Sequence, residues 1–200
     1  MASAFAVYLE LGFNHIADLA GYDHILFVVA LAAGYDLRHW RHLLVLVTAF
    51  TVGHSITLAL ATLRVVPVPT AWVEFLIPVT IVATAAYTLW ETRHHDPDAA
   101  RERHAREVKY AMALFFGLIH GMGFSTFLRA LLGAEESIAW PLFAFNVGLE
   151  VGQVAILLCV LLAGAAVTAL APVRPVAWTR LLSLGTAVPA LVLVAYRLPW

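Results

Sequence analysis

Long apolar runs separated by short polar segments dominate the chain. Because about 20 apolar residues in a helix cross the roughly 30 Å hydrocarbon core of a bilayer, each run predicts a transmembrane helix. The pattern therefore predicts an all-α integral membrane protein, a bundle of about six or seven transmembrane helices. The firmly apolar segments are residues 22–35, 43–63, 71–90, 108–132, 138–170 and 176–198. Residues 2–19 carry more polar side chains, and they form either part of a kinked first span or a helix on the membrane surface.

The polar segments between the runs are short, so the whole chain, 1–200, is expected to be a single polytopic membrane domain. The longest polar stretch is 91–109, which is dense in both charge signs and predicts a charged cytoplasmic loop. Positively charged residues favour the cytoplasmic side of a membrane. Nine Lys or Arg residues fall on one side of the six predicted spans and three on the other. This count predicts a multi-pass protein of the bacterial inner membrane with both termini outside.

Composition supports the membrane assignment and narrows the chemistry. Hydrophobic residues make up 62% of the chain and charged residues 12%, with a mean hydropathy of +0.85, which excludes an ordinary soluble domain. Cys159 is the only cysteine, so an intrachain disulfide and a thiolate metal cluster are both excluded. Any metal ligands must therefore be nitrogen and oxygen atoms. The expected partners are the lipid bilayer and a metal ion, and no nucleic acid.

Ionisable side chains inside the spans are the main functional signal, since each costs about 2.5–3.5 kcal/mol to insert. His54 lies eleven positions from Leu43 and His120 lies eleven from Lys109, both counted from the cytoplasmic side, and Glu150 lies twelve from the outer end of its span. Asp23 and His24 fall in the outer half of the first span. At 1.5 Å of rise per residue, all of these side chains reach a similar depth. One shared site is the simplest interpretation.

Imidazole nitrogens combined with carboxylates suit nickel, zinc, cobalt, copper or iron. The candidate metal ligands are His15, Asp23, His24, His54, His120 and Glu150. Four further polar side chains lie near the same depth and are expected to orient the ligands or to line a path: Thr51, Ser55, Asn146 and Gln153. A single membrane histidine more often joins two helices by a hydrogen bond. A proton relay of Asp, His and Glu is the main competing interpretation of the set.

Five sequence blocks resemble the HupE/UreJ family of bacterial membrane proteins. They are GYDHILFVVAL at 21–31, TAFTVGHSITLAL at 48–60, VEFLIPVTI at 73–81, FGLIHGMGF at 116–124 and FNVGLEVGQ at 145–153. The resemblance implies a multi-span nickel permease or related metal transporter with hydrogenase and urease accessory functions, and it implies partners in metalloenzyme maturation. It assigns His15, Asp23 and His24 to the family's first-span metal motif. The residues that match its later histidines and its acidic block are His54, His120 and Glu150.

Two classes of function follow from these residues. The first is a permease for a divalent transition metal ion, nickel or zinc, bound in the middle of the membrane. The alternative is a zinc-dependent intramembrane hydrolase of a lipid or amide bond, in which three histidines hold zinc and a carboxylate acts as general base. Asp23 or Glu150 would be that base, and Ser55 or Ser125 would polarise the substrate. A purely structural role is disfavoured by the cost of the buried ionisable groups.

Overall fold

The computed structural model describes residues 4–93, 99–132, 138–171 and 173–199, and within these ranges the chain is helical between its turns. The prediction of an all-α membrane protein is confirmed. A short 3-10 turn, Leu37–His39, precedes the third helix. The helices are α1 (Ala4–Ala17), α2 (Asp23–Ala32), α3 (Trp40–Thr62), α4 (Thr70–Arg93), α5 (Ala99–Gly123), α6 (Ser125–Leu132), α7 (Ala139–Leu170) and α8 (Pro175–Tyr196).

The number of full-length spans is lower than the six predicted. Among the described residues, four helices are long and apolar enough to cross a membrane: α3, α4, α7 and α8. A fifth span is formed if α5 and α6, which meet at 49°, count as one bent helix. The prediction fails at residues 22–35, because α2 has only 10 residues. At 1.5 Å per residue it is about 15 Å long, roughly half of the hydrocarbon thickness.

The two short N-terminal helices both pack against α7. Gly12 of α1 lies against the backbone of Phe145, and Gly148 of α7 lies against the backbone of Leu9. The following helix, α2, contacts α7 farther along its length, where Leu157 belongs to the same buried cluster as residues of α2. The apolar N-terminal segment therefore follows α7 in two pieces. The break between them, residues 18–22, brings the end of α1 next to the start of α2.

Glycines bring α3 and α5 into close contact. A Cβ atom added to Gly117 would collide with the backbone carbonyl of Phe50, and one added to Gly121 would collide with that of His54. On the α3 side, Gly53 is pressed in the same way against Leu114. Glycine or another small residue at such positions allows two membrane helices to approach backbone to backbone. This contact fixes the distance between the two histidines that the helices carry, His54 and His120.

Candidate metal centre

Three histidines meet where α1 ends, α2 begins and α3 passes by. His15 is in the last turn of α1, His24 is the second residue of α2, and His54 lies in α3. Each offers a ring nitrogen, and these three nitrogens lie within 4.8 Å of one another. The rings of His15 and His24 are in edge contact, with centroids 4.5 Å apart. The break at residues 18–22 makes this meeting possible, because it places two helix ends beside one continuous helix.

Hydrogen bonds at Asp23 determine which nitrogen His24 can offer. A carboxylate oxygen of Asp23 lies 3.0 Å from Nδ1 of His24. Since an ionised carboxylate only accepts, Nδ1 carries the proton and Nε2 keeps its lone pair. The second oxygen of Asp23 forms an ion pair with Arg197, also at 3.0 Å. A carboxylate held behind a histidine in this way orients the ring and raises its basicity toward a metal.

His120 joins the cluster from α5, next to His24, with a distance of 5.2 Å between ring centroids. Its Nε2 lies 2.9 Å from the hydroxyl of Thr80. That hydroxyl donates its own proton to the carbonyl of Ile77 at 2.6 Å. The hydroxyl oxygen must therefore accept from Nε2 of His120, which leaves Nδ1 as an unprotonated lone pair. The tautomer of His120 is thus set by a threonine of α4.

Several ring nitrogens of these histidines are buried without a hydrogen-bond partner among the described residues. They are Nε2 of His15, Nε2 of His24, both nitrogens of His54 and Nδ1 of His120. Phenylalanine rings surround them, including Phe27 and Phe50 beside His120 and Phe145 beside His15. An unsatisfied buried polar atom costs about 1–3 kcal/mol. Lone pairs that converge in an apolar shell are suited to a cation that accepts them.

The other polar residues of this level pair with each other. Thr48 donates to Glu150 at 2.5 Å, and Thr51 donates to Gln153 at 2.9 Å. Polar side chains of α3 and α7 therefore face each other across the helix contact. Two of the remaining candidates bond to their own helices. Ser55 donates to the carbonyl of Thr51, and Asn146 donates to that of Leu142.

Three residues of the site were not identified from the sequence alone. Arg197 is the partner of Asp23, although it lies 174 positions away in the chain. Thr80, which lies in α4, was not among the candidate residues. Phe124, at the bend between α5 and α6, has its ring centroid 4.0 Å from that of His15. Arg197 immediately follows α8, and a cation at the end of an apolar helix is the sequence feature that points to a partner for the buried aspartate.

The helical architecture and the buried histidine cluster define this chain as an all-α membrane protein with a site compatible with metal binding. Comparison with known families then identifies it further. The chain belongs to the HupE / UreJ protein family, whose model matches residues 1–198. The family is linked to metal handling and to accessory roles for metalloenzymes. No curated protein and no solved structure matches the chain.

Proposed function

We propose that this protein is a permease for a divalent transition metal ion, nickel by family membership, and that the ion binds to His15, His24 and His54. The observation that carries the proposal is the convergence, within 4.8 Å of one another, of buried imidazole nitrogens that have no hydrogen-bond partner in the described part of the chain. Imidazole is a good ligand for nickel, zinc, copper and iron. His120 is proposed as a fourth ligand through Nδ1, and Asp23 as the carboxylate that orients His24.

The spacing of the nitrogens is compatible with a single ion. A tetrahedral zinc ion with bonds of 2.0–2.1 Å holds its nitrogen ligands about 3.4 Å apart. The nitrogens of His15, His24 and His54 lie within 4.8 Å of one another. Small rotations of the three rings would therefore bring them onto one ion.

Glu150 and Gln153 are proposed to act by holding α3 in register with α7 through Thr48 and Thr51. The protein is expected in the bacterial inner membrane, with both termini outside. Its expected partners are the ion, the bilayer and proteins of metalloenzyme maturation on the cytoplasmic side. In this role the protein delivers metal ions to the cytoplasm, where such maturation proteins bind them.

Replacement of His54 by alanine tests the proposal most directly. Because His54 is fully buried and neither of its ring nitrogens has a hydrogen-bond partner among the described residues, we expect His54→Ala to reduce nickel uptake into proteoliposomes to the level of protein-free vesicles. His39→Ala is a matched control, since His39 is a histidine on the exposed 3-10 turn. Uptake by His54→Ala equal to that of the unmodified protein would show that the cluster does not carry the ion.

The hydrolase alternative finds less support in the site. The residues considered for it are engaged elsewhere: Asp23 with His24 and Arg197, Glu150 with Thr48, and Ser125 with the carbonyl of Met122. Elemental analysis of protein purified without added metal separates the two functions. A permease is expected to carry little metal as purified and to bind nickel saturably when it is added. Stoichiometric zinc that resists chelation would instead favour the hydrolase.

A further inference from the structure

A cavity of about 560 Å³ lies between the end of α1 and the start of α6. Its walls combine polar side chains of α1 and of the following break with aromatic side chains around the bend between α5 and α6. The residues that matter are Asn14, His15, Asp18, Phe124 and Phe127. One member of the histidine cluster therefore lines an open cavity.

His15 differs from the other histidines of the cluster in its exposure. It is partly exposed, whereas His24 is 7%, His54 0% and His120 1% exposed. An ion that arrives through the cavity meets His15 first. From there the ring nitrogens of His24 and His54 are within 4.8 Å.

Phe124 both lines the cavity and contacts a histidine of the cluster. Its ring contacts His15 and stacks on Phe145 at 5.0 Å between centroids. It also occupies the single residue between α5 and α6, where the helix direction changes by 49°. The ring is therefore carried by the residue at which the helix changes direction.

Two polar side chains lie at the mouth of this cavity. Asp18 is exposed in the break after α1, and one of its carboxylate oxygens accepts from the backbone N–H of Ala20 at 2.8 Å. Asn14, one helical turn earlier, is exposed on the same side. A carboxylate at the mouth of a low-dielectric cleft raises the local concentration of cations and their association rate. Nothing assigned so far to the metal centre uses either residue.

The cavities at the opposite end of the bundle are lined by different residues. Two cavities of about 430 and 350 Å³ lie there, and both include Tyr35, His39 and Thr179. The smaller one is also lined by Arg106 and by the ion-paired Lys109 and Glu91, so its Arg, Lys and Glu side chains carry a net positive charge. None of the four clustered histidines is among the described residues that line either cavity. Charge and access both favour the α1–α6 side for an incoming cation.

We propose that the cavity between α1 and α6 is the route by which a divalent cation reaches the histidine cluster, with Asp18 as an outer attracting site and Phe124 as the ring that closes the inner end. This inference rests on the proposed function, because it presupposes that the cluster binds the ion. It adds a direction of access and names the residues that control its rate.

Site-directed modification tests the route. In a Cys159→Ser background, Asp18→Cys places a thiol at the mouth of the cavity, and Thr179→Cys places one in the opposite cavities as the matched control. Both proteins are treated in detergent with a trimethylammonium-ethyl methanethiosulfonate reagent, which adds bulk and positive charge. The readout is the visible absorption that Co²⁺ acquires when imidazoles bind it, measured by stopped flow for the rate and by titration for the stoichiometry.

We expect modification of Asp18→Cys to slow Co²⁺ association at least about tenfold, the lower end of electrostatic effects on association rates, with the final stoichiometry unchanged. Modification of Thr179→Cys is expected to leave the rate unchanged. The opposite pattern, or equal rates in all proteins, would overturn the route. Absence of any Co²⁺ absorption in the untreated protein would instead contradict the proposed function, so the two failures are distinguishable.

A second variant separates charge from bulk. Asp18→Asn keeps the size of the side chain and removes its charge, so we expect a severalfold slower association that depends less on ionic strength. An association rate and salt dependence equal to those of the unmodified protein would contradict the role of Asp18.

Discussion

Two regions of this bundle bury ionisable side chains, and they differ in whether the buried groups have partners. In the first region, Lys109 of α5 lies beside the end of α4 and is only 8% exposed. Its ammonium group lies 2.5 Å from a carboxylate oxygen of Glu91 in α4. The same group sits 4.7 Å from the centre of the Tyr35 ring. The histidine cluster, in contrast, contains buried ring nitrogens on four histidines with no hydrogen-bond partner among the described residues.

The difference shows that burial by itself does not identify a functional site in a membrane protein. A buried cation that has an anion and an aromatic face around it is already satisfied, and its role is structural. Buried lone pairs without a donor cost about 1–3 kcal/mol each, a cost that a bound cation removes. The histidine region is therefore the one that is incomplete without a ligand. Substitutions that affect only one of the two regions test this distinction.

The largest effect is expected from Asp23→Asn. The change removes the negative charge that fixes the tautomer of His24 and balances Arg197. Loss of such a supporting carboxylate typically lowers metal affinity about 10- to 100-fold. A titration of the purified protein with Co²⁺, followed by visible absorption, measures the change.

The chain contains a matched control for this variant. Asp36 makes the same contact with a histidine, at 2.8 Å from Nδ1 of His39, but on the exposed turn before α3. We expect Asp36→Asn to leave Co²⁺ affinity unchanged. If both variants lose the same affinity, the buried pair has no special role and the comparison between the regions fails.

A smaller effect is expected from Lys109→Met, and it concerns the stability of the protein and not its affinity for metal. The substitution keeps the length of the side chain and leaves Glu91 without its partner. The side chain of Glu91 is 29% exposed, so solvent partly compensates, and we expect a loss of about 1–3 kcal/mol in stability. Thermal unfolding in detergent measures the loss, and Co²⁺ affinity is expected to stay the same.

The double variant Lys109→Met with Glu91→Gln serves as the control for that prediction. If the pair is structural, removing both charges should recover part of the stability that the single variant loses. A loss of metal affinity in Lys109→Met without a loss of stability would place Lys109 in the ion's path instead.

Regular helices explain what the sequence could predict about the site. His54 and His120 lie in α3 and α5, whose constant rise makes depth readable from residue numbers. The depth of Thr51 and Gln153 was readable for the same reason. Hydropathy, however, does not detect where a helix stops. The hydropathy pattern therefore predicted one span at residues 22–35, whereas α2 ends at Ala32.

Contacts between distant parts of the chain explain what the sequence could not predict. Glu150 has a suitable depth, but depth does not reveal that its carboxylate meets Thr48. The position of His15 depends on how α1 packs on α7 and on the break that follows it. The pairing of Asp23 with Arg197 depends on where the last helix ends in space. Each of these requires the tertiary arrangement of helices, which local patterns do not encode.

The smallest effect is expected at the edge of the cluster, from Thr80→Val. Valine has the shape of threonine without the hydroxyl that accepts from His120, so the ring loses the bond that fixes its tautomer. One neutral hydrogen bond is worth about 1 kcal/mol, which corresponds to roughly a fivefold loss of Co²⁺ affinity. Thr84→Val is the matched control, since Thr84 donates only to the carbonyl of Thr80 in its own helix. An unchanged affinity in Thr80→Val would mean that Nδ1 of His120 is not a ligand, and the site would then consist of His15, His24 and His54 alone.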